Sequence, residues 1–282
     1  MIVSGSASQT FAAALAAATD REMTAVEYDR FPDGELMAAV PEFDADRAVV
    51  VASTVSSDAH VECLLLQDAV REAGASDVTT VLAHMGHARQ GEPSTGGRTA
   101  SGRAVARAVS TGTDRVLVVN PHETAVCDFF DVPVEPVDAA DRLADPLPDL
   151  AAPLFLSPAE DAVDLAGTVR DAYGRGETGD VVKRRDDDTG DGPVRPRETD
   201  VRDRDVVLVD DVIATGSTMS EAAETLRDRG VDRLFVACVH PLLVANARSK
   251  LASAGVTAIY GTDTVERPAS RVSAAPAVAE RL

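Results

Sequence analysis

The residues best suited to chemistry lie in one stretch, residues 206–226, which has the sequence VVLVDDVIATGSTMSEAAETL. Four apolar residues typical of a buried strand run into two adjacent carboxylates, Asp210 and Asp211. A short polar segment follows before a helical pattern begins, and it consists mainly of Ala214, Thr215, Gly216, Ser217 and Thr218. The order of strand, turn and helix predicts that this segment lies at a helix N-terminus.

This polar segment has the properties of a phosphate site. Gly216 lets the backbone approach an anion, the hydroxyls donate hydrogen bonds, and a helix N-terminus supplies unpaired N–H groups and a positive dipole end. Asp210 and Asp211 would repel a phosphate, so they must face sugar hydroxyls, which are hydrogen-bond donors, or a hydrated Mg²⁺. A phosphate beside a vicinal diol predicts ribose 5-phosphate as the ligand. The alternative is a capped helix start with an acidic N-terminus.

The charge of the chain argues against several other functions. Its 282 residues include 47 Asp and Glu against 27 Lys and Arg, a formal net charge of −20, so its field repels nucleic acid and anionic lipid. No apolar run approaches the ~18 residues of a membrane span. Lys183 and Lys250 are the only lysines, a bias that suits a very salty cytosol, where salt screens self-repulsion. We expect a cytoplasmic, halophilic protein; the alternative is a merely acidic one.

Several side chains could ligate a metal, but their spacing does not favour a metal centre. Cys63, Cys127 and Cys238 lie far apart in apolar segments, which predicts buried free thiols rather than disulfides or a zinc site. His84 and His87 have the spacing of a metal pair, but two ligands make a poor site. Spacing alone therefore does not predict a metal centre at these two histidines.

Short β-branched runs alternate with Ala- and Leu-rich segments along the chain, which predicts an α/β fold with parallel sheets covered by helices. The expected strands are 47–52, 77–83, 115–119, 153–156, 205–209, 233–239 and 256–260. The expected helices are 59–72, 102–109, 162–172, 218–229 and 244–252. A Pro- and Asp-rich stretch at 141–153 is the best domain boundary, and 184–204 is expected to be a long mobile loop.

The 206–226 segment resembles the binding loop shared by type I phosphoribosyltransferases and phosphoribosyl-pyrophosphate synthetases, which are also called ribose-phosphate pyrophosphokinases. Further segments resemble the synthetases, and two of them the archaeal type: FPDGE at 31–35, VVNPHE at 118–123, DFFD at 128–131, ACVHP at 237–241 and GTDT at 261–264. The likeness extends over essentially the whole chain. The sequence therefore looks like an archaeal-type synthetase from an extreme halophile.

The resemblance implies two tandem type I phosphoribosyltransferase-like domains with parallel sheets flanked by helices. We expect the N-terminal domain, on the ATP side, over 1–145 and the C-terminal domain, on the ribose 5-phosphate side, over 146–264. Residues 265–282 are expected to pack back on the first domain. The family also implies a dimer-based homo-oligomer, or one mixed with a homologous subunit, in which residues 31–35 complete the adjacent active site.

The implied reaction moves the β,γ-diphosphoryl group of ATP to the anomeric hydroxyl of ribose 5-phosphate and leaves AMP, with Mg²⁺ as cofactor. The resemblance assigns catalysis to Lys183 and Arg185 and Mg²⁺ binding to His122. It assigns ATP binding to Phe31, Asp33, Glu35, Arg89 and Gln90, and ribose 5-phosphate binding to Asp210, Asp211, Ala214, Thr215, Gly216, Ser217 and Thr218. The resemblance also implies that His84 and His87 form the wall of the pocket beside Arg89 and Gln90. The alternatives are a solvated basic cluster at Lys183 and a structural histidine at His122.

Two departures from the family pattern keep other functions open. Ala159 stands where the family has a second magnesium-linked aspartate, and the stretch 91–98 differs from the family's ATP loop. They favour a catalytically weakened homologue with a binding or regulatory role in a mixed assembly. A phosphoribosyltransferase is the third alternative, but it would leave the N-terminal half without a purpose.

Overall fold

A computed structural model describes residues 1–88, 100–158, 162–183, 194–196 and 200–282, with the backbone alone at 180–183 and 194–196. Five features discussed above lie outside the described residues: Arg89, Gln90, Ala159, Arg185 and the stretch 91–98. Contacts divide the chain into two compact units. The first consists of Met1–Ala139, Asp263–Glu266 and Ser273–Leu282, and the second of Ala140–Thr262 and Arg267–Val272.

The first unit is built on a parallel sheet. Its elements are β1 (Ile2–Ser4), α1 (Gln9–Thr19), β2 (Glu27–Arg30), β3 (Leu36–Ala39), β4 (Arg47–Ser53), α2 (Ser57–Glu72), β5 (Asp77–His84), α3 (Ser101–Ser110), β6 (Arg115–Val119), a 3-10 helix (Thr124–Phe129) and β7 (Val134–Val137). Five strands form the sheet, in the order β1-β4-β5-β6-β7. β2 and β3 form a separate antiparallel ribbon that packs on α2.

The second unit contains a seven-stranded sheet in the order β10-β9-β8-β11-β12-β13-β14. Its elements are a 3-10 helix (Ala140–Ala144), β8 (Leu154–Ser157), α4 (Val163–Tyr173), β9 (Glu177–Lys183), β10 (Val194–Pro196), β11 (Val206–Val212), α5 (Ser217–Asp228), β12 (Leu234–His240), α6 (Ala247–Ser253), β13 (Ala258–Thr262) and β14 (Ser270–Val272). All neighbouring strands are parallel except β9 and β10. The last helix, α7 (Ala275–Ala279), belongs to the first unit and packs on α1.

The central strands are buried on both faces, as the strands of a helix-covered parallel sheet must be. Every residue of β12 is buried, and so are all residues of β4 after Arg47. Burying one Val, Leu or Phe side chain stabilises the folded state by roughly 1.5–3 kcal/mol. These apolar runs are the signal that made the central strands predictable. No helix in the described part of the chain is both long and apolar enough to cross a membrane.

All seven predicted strands and all five predicted helices are present, with ends that differ by up to three residues. The prediction that 184–204 is irregular is wrong at Val194–Pro196, because this segment pairs antiparallel with β9 as strand β10. The two units meet in sequence between Ala139 and Ala140, next to the stretch 141–153 that was predicted as the boundary. Leu143, Leu147 and Leu150 of this stretch are buried.

A charge pair between the buried Asp205 and the partly exposed Arg233 lies next to the start of β11. The Asp205 carboxylate accepts hydrogen bonds from Arg233 Nε at 2.8 Å and from the backbone N–H of Ala151 at 2.5 Å. Its side chain is fully buried. Burial raises the pKa of Asp205, but the hydrogen bonds and the positive charge of Arg233 outweigh this effect and hold the pKa below its ordinary value.

We predict that Arg233→Met lowers the free energy of unfolding at pH 7 by more than the loss of an exposed ion pair does, because it leaves the buried Asp205 carboxylate without its cation. Since the folded pKa lies below the unfolded value of about 4, the stabilisation by the pair is present above pH 4 and is lost as the pH falls through the folded pKa. Urea unfolding at pH 7 and at pH 3 should therefore show a smaller difference between variant and wild type at pH 3.

The matched control is Arg175→Met, which removes an arginine from an exposed ion pair with Asp149. Exposed pairs contribute little to stability, because solvent and salt screen them. An equal loss of stability in both variants at pH 7 would contradict the structural role given to Asp205.

Candidate functional site

The candidate site lies at the carboxyl edge of the second sheet, where the direction of winding changes. β8 and β11 are adjacent and parallel. From β8 the chain continues to β9 on one side, and from β11 it continues to β12 on the other. In open α/β sheets, ligands bind at such a switch point, outside the carboxyl ends of the strands. The polar segment singled out in the sequence follows β11 at this edge.

The turn between β11 and α5 depends on one backbone conformation. Gly216 is the N-cap residue of α5 and is left-handed, with φ 71° and ψ 9°. A Cβ atom here would lie 3.4 Å from Ala247, an ordinary contact, so the conformation rather than the space requires glycine. The N-cap residue has no side chain, and no acceptor among the described residues bonds the backbone N–H of Ser217 or Thr218. The helix therefore begins without the cap that the alternative interpretation requires.

The hydroxyl groups of the turn lie close together. Thr215 Oγ1 and Ser217 Oγ are 3.3 Å apart, and Thr218 is exposed. Lys250, on α6, donates a hydrogen bond from Nζ to Ser217 Oγ at 3.1 Å. This lysine received no role in the sequence analysis, although it is one of only two lysines in the chain. The turn thus presents hydroxyls and N–H groups in one place, as a phosphate site requires.

Asp210 and Asp211 are half-buried and lie within β11, which extends three residues beyond its predicted end. Both lie among the last three residues of β11, at the carboxyl end of the strand. The backbone N–H of Asp211 donates to Asp210 Oδ1 at 3.0 Å. Burial, and then the charges of these two aspartates, raise the pKa of the Cys238 thiol well above its ordinary value. The edge of the sheet here therefore favours hydrogen-bond donors or cations.

The cysteines are all free, as predicted, and Cys63 and Cys238 are buried. The prediction of burial is wrong for Cys127, which is half-buried because it packs against the core cluster that contains Val118 and Val126 and is not itself part of it. In the described ranges, no three His, Cys, Asp or Glu side chains are grouped closely enough to hold a metal ion.

In the first unit, residues 31–35 form the tip of the ribbon made by β2 and β3. The backbone N–H of Phe31 donates to Glu35 O at 2.9 Å, and Gly34 has the positive φ, 95°, that closes the tight turn. Phe31, Asp33 and Glu35 are exposed, and the Phe31 side chain is 51% exposed. An aromatic ring on a ribbon tip is free to contact a ligand or another chain.

The predicted histidines occupy different surroundings. His122 is exposed and lies just after β6. His84 is the buried last residue of β5, whereas His87 Nδ1 lies 3.1 Å from Ser101 Oγ and its ring lies 5.3 Å from that of His60. Burial and the neighbouring His87 lower the pKa of His60 to about 4. The roles predicted for His122, His84 and His87 stay predictions.

Lys183 is the last residue of β9, which is parallel to β8. Because β8 is also parallel to β11, Lys183 lies at the same carboxyl edge of the sheet as the turn at Gly216. Its catalytic role stays a prediction, as do those of Arg89, Gln90 and Arg185.

We predict that Gly216→Ala weakens ribose 5-phosphate binding about tenfold, because strain at positive φ shifts the N–H groups of the turn. The left-handed conformation should also cost about 1–2 kcal/mol of stability. Gly230→Ala is the matched control, since Gly230 also has positive φ, 83°, and a Cβ there meets nothing closer than 3.7 Å. Urea unfolding and titration calorimetry measure both effects. Equal ribose 5-phosphate affinity in the two variants would rule out a binding role for the turn.

Two family models match the chain. The N-terminal domain of ribose phosphate pyrophosphokinase matches residues 1–112, and the phosphoribosyl transferase domain matches residues 148–261. The second match contains the turn at Gly216 and Lys183.

Full-length relatives give the same result. The ribose-phosphate pyrophosphokinase of Halobacterium salinarum is 58% identical, with 100% of each chain covered. That of Methanopyrus kandleri is 42% identical and covers 95% of this chain and 93% of its own. The structure of phosphoribosylpyrophosphate synthetase from Mycobacterium smegmatis matches with a TM-score of 0.79 at 26% identity, over 100% of this chain and 96% of that one. These comparisons confirm the predicted resemblance and the α/β fold with two phosphoribosyltransferase-like domains, and the chain belongs to the ribose-phosphate pyrophosphokinase family.

Proposed function

We propose that this chain is a ribose-phosphate pyrophosphokinase. It transfers the diphosphoryl group of ATP to the C1 hydroxyl of ribose 5-phosphate, and it forms phosphoribosyl pyrophosphate and AMP for nucleotide biosynthesis. The observation that carries the proposal is the turn between β11 and α5, where unbonded N–H groups, clustered hydroxyls and two carboxylates occur within nine residues, Asp210 to Thr218. Relatives of this name that match the full chain support it.

The two ends of ribose 5-phosphate need opposite chemistry. The N–H groups at the start of α5 and the hydroxyls of Thr215, Ser217 and Thr218 donate to the 5-phosphate. Asp210 and Asp211 accept hydrogen bonds from the ribose hydroxyls. A site with both parts rejects a ligand that lacks either group, because its own polar atoms would then stay unpaired.

Diphosphoryl transfer needs positioning and charge neutralisation more than covalent help from the protein. We assign the neutralising role to Lys183 and Arg185. The position of Lys183 at the carboxyl end of β9 supports this assignment, because ribose 5-phosphate is bound at the same edge of the same sheet. Its ammonium group would stabilise the charge on the transferring phosphates.

ATP binding is assigned to Phe31, Asp33 and Glu35 of the ribbon tip, together with Arg89 and Gln90. The exposed Phe31 ring is suited to contact a nucleotide bound by a neighbouring copy, so we propose a homo-oligomer built from dimers. The purine and the triphosphate would be held by aromatic and polar contacts from different chains.

Magnesium is the proposed cofactor. The half-buried carboxylates of Asp210 and Asp211 fit it, since Mg²⁺ prefers oxygen ligands and commonly binds through one or two carboxylates and substrate phosphates. We place His122 next to the Mg²⁺ of the nucleotide. When bound, Mg²⁺ neutralises phosphate charge.

We also propose that the protein works in a salt-rich cytoplasm. The net charge of −20 and the presence of only two lysines support this, because the Debye length falls to about 3 Å at molar salt and the self-repulsion of the chain is then screened.

The proposal is tested by AMP release from ATP in molar KCl with Mg²⁺. We expect AMP formation that depends on ribose 5-phosphate, and none with ribose, which lacks the phosphate that the turn binds. Lys183→Ala should lower kcat at least a hundredfold, since it removes charge stabilisation from the transition state. Lys183→Arg is the conservative control, because it keeps the positive charge at this position.

Other results would assign other functions. Tight binding of ribose 5-phosphate without AMP release would support the weakened, regulatory homologue that Ala159 suggests. Release of pyrophosphate from phosphoribosyl pyrophosphate with a nucleobase would support a phosphoribosyltransferase. Full turnover by Lys183→Ala would remove the catalytic role of Lys183.

A further inference from the structure

The stretch from Ile213 to Thr218, between β11 and the first turn of α5, is called the phosphate turn below. The segment that follows β12 is joined to it by backbone hydrogen bonds. The backbone N–H of Leu243 donates to Ile213 O at 2.9 Å, and that of Val244 donates to Ala214 O at 3.0 Å. Ala247, the first residue of α6, lies against Gly216. These contacts place α6 beside α5, with its last turn, which contains Lys250, next to the hydroxyls of the phosphate turn.

Lys250 is half-buried, and its Nζ donates to Ser217 Oγ at 3.1 Å. In the part of the chain that the structure describes, no carboxylate pairs with it. An ammonium group without a carboxylate partner is notable in a chain of net charge −20, where Arg233 and Arg175 are both paired with aspartates. The positive charge of Lys250 therefore remains available to an anion at the turn.

The direction of the hydrogen bond matters for the turn. An ammonium group can only donate, so it occupies a lone pair of Ser217 Oγ. The hydroxyl hydrogen of Ser217 must then point elsewhere: to Thr215 Oγ1 at 3.3 Å, to water or to a ligand. Phosphate oxygens only accept, so an incoming phosphate takes that hydrogen. Lys250 thus holds Ser217 in the orientation in which it donates.

We propose that Lys250 is a positioning residue for the 5-phosphate: it orients the Ser217 hydroxyl as a donor and supplies the positive charge of the phosphate turn. This inference rests on the proposed function, because it takes ribose 5-phosphate as the ligand of the turn. Lys250 would stabilise the bound substrate and the transition state by the same free energy, since the 5-phosphate does not react. It should therefore appear in KM and not in kcat.

The test compares Lys250→Met, Lys250→Arg and Arg248→Gln in the AMP-release assay and in calorimetric titrations with ribose 5-phosphate. Lys250→Met should raise KM and Kd for ribose 5-phosphate about tenfold or more, the size of a lost hydrogen bond to a charged group, with kcat within about threefold of wild type. Lys250→Arg should recover much of the affinity. Arg248→Gln removes a charge from the exposed side of the same helix and should leave both constants unchanged.

If Lys250 had only a structural role, Lys250→Met would change the melting temperature and kcat, and KM for ribose 5-phosphate would not rise alone. If Lys250→Met does not fold, Lys250→Gln replaces it, because glutamine keeps a hydrogen-bond donor but removes the positive charge. A raised KM for ribose 5-phosphate with unchanged kcat in Lys250→Gln supports the proposal. A KM for ribose 5-phosphate that is unchanged in Lys250→Met, or raised equally by Arg248→Gln, overturns it. A wild-type protein that neither binds nor uses ribose 5-phosphate overturns the proposed function and this inference together.

Discussion

The site depends on the left-handed backbone at Gly216, which lets a buried strand pass into a helix within four residues. In this conformation the first N–H groups of α5 stay unbonded within the described protein and lie next to the hydroxyls of Thr215 and Ser217. A residue with a side chain would adopt this φ only with strain. The burial of β11 between β8 and β12 holds the turn at the carboxyl edge of the sheet.

Two kinds of electrostatic environment lie side by side along this edge. The strand end presents the carboxylates of Asp210 and Asp211, whereas the helix start presents N–H groups and the ammonium group of Lys250. A ligand that matches both must carry an anion at one end and hydrogen-bond donors at the other. A phosphorylated sugar has this pattern, and neither inorganic phosphate nor a free sugar does. The selectivity of the site thus follows from the arrangement of charge in one short segment.

Much of the fold could be predicted because central parallel strands are continuous apolar runs. β6 was predicted with its exact bounds, Arg115–Val119. The sequence analysis does not predict β9 or the ribbon of β2 and β3, because β2 and β9 mix polar and apolar residues and each strand of the ribbon has only four residues. The phosphate turn could be predicted because its residues are contiguous. Lys250 could not, because its contact with Ser217 spans 33 residues and exists only after α6 packs on α5.

The most direct test of the central claim is calorimetric titration of the wild-type protein in molar KCl with ribose 5-phosphate, 2-deoxyribose 5-phosphate and ribose. If the turn binds the phosphate and the aspartates bind the hydroxyls, ribose 5-phosphate gives saturable heat, the deoxy sugar binds more weakly, and ribose gives none. Equal affinity for ribose 5-phosphate and ribose, or no heat with ribose 5-phosphate and with phosphoribosyl pyrophosphate, would contradict the account.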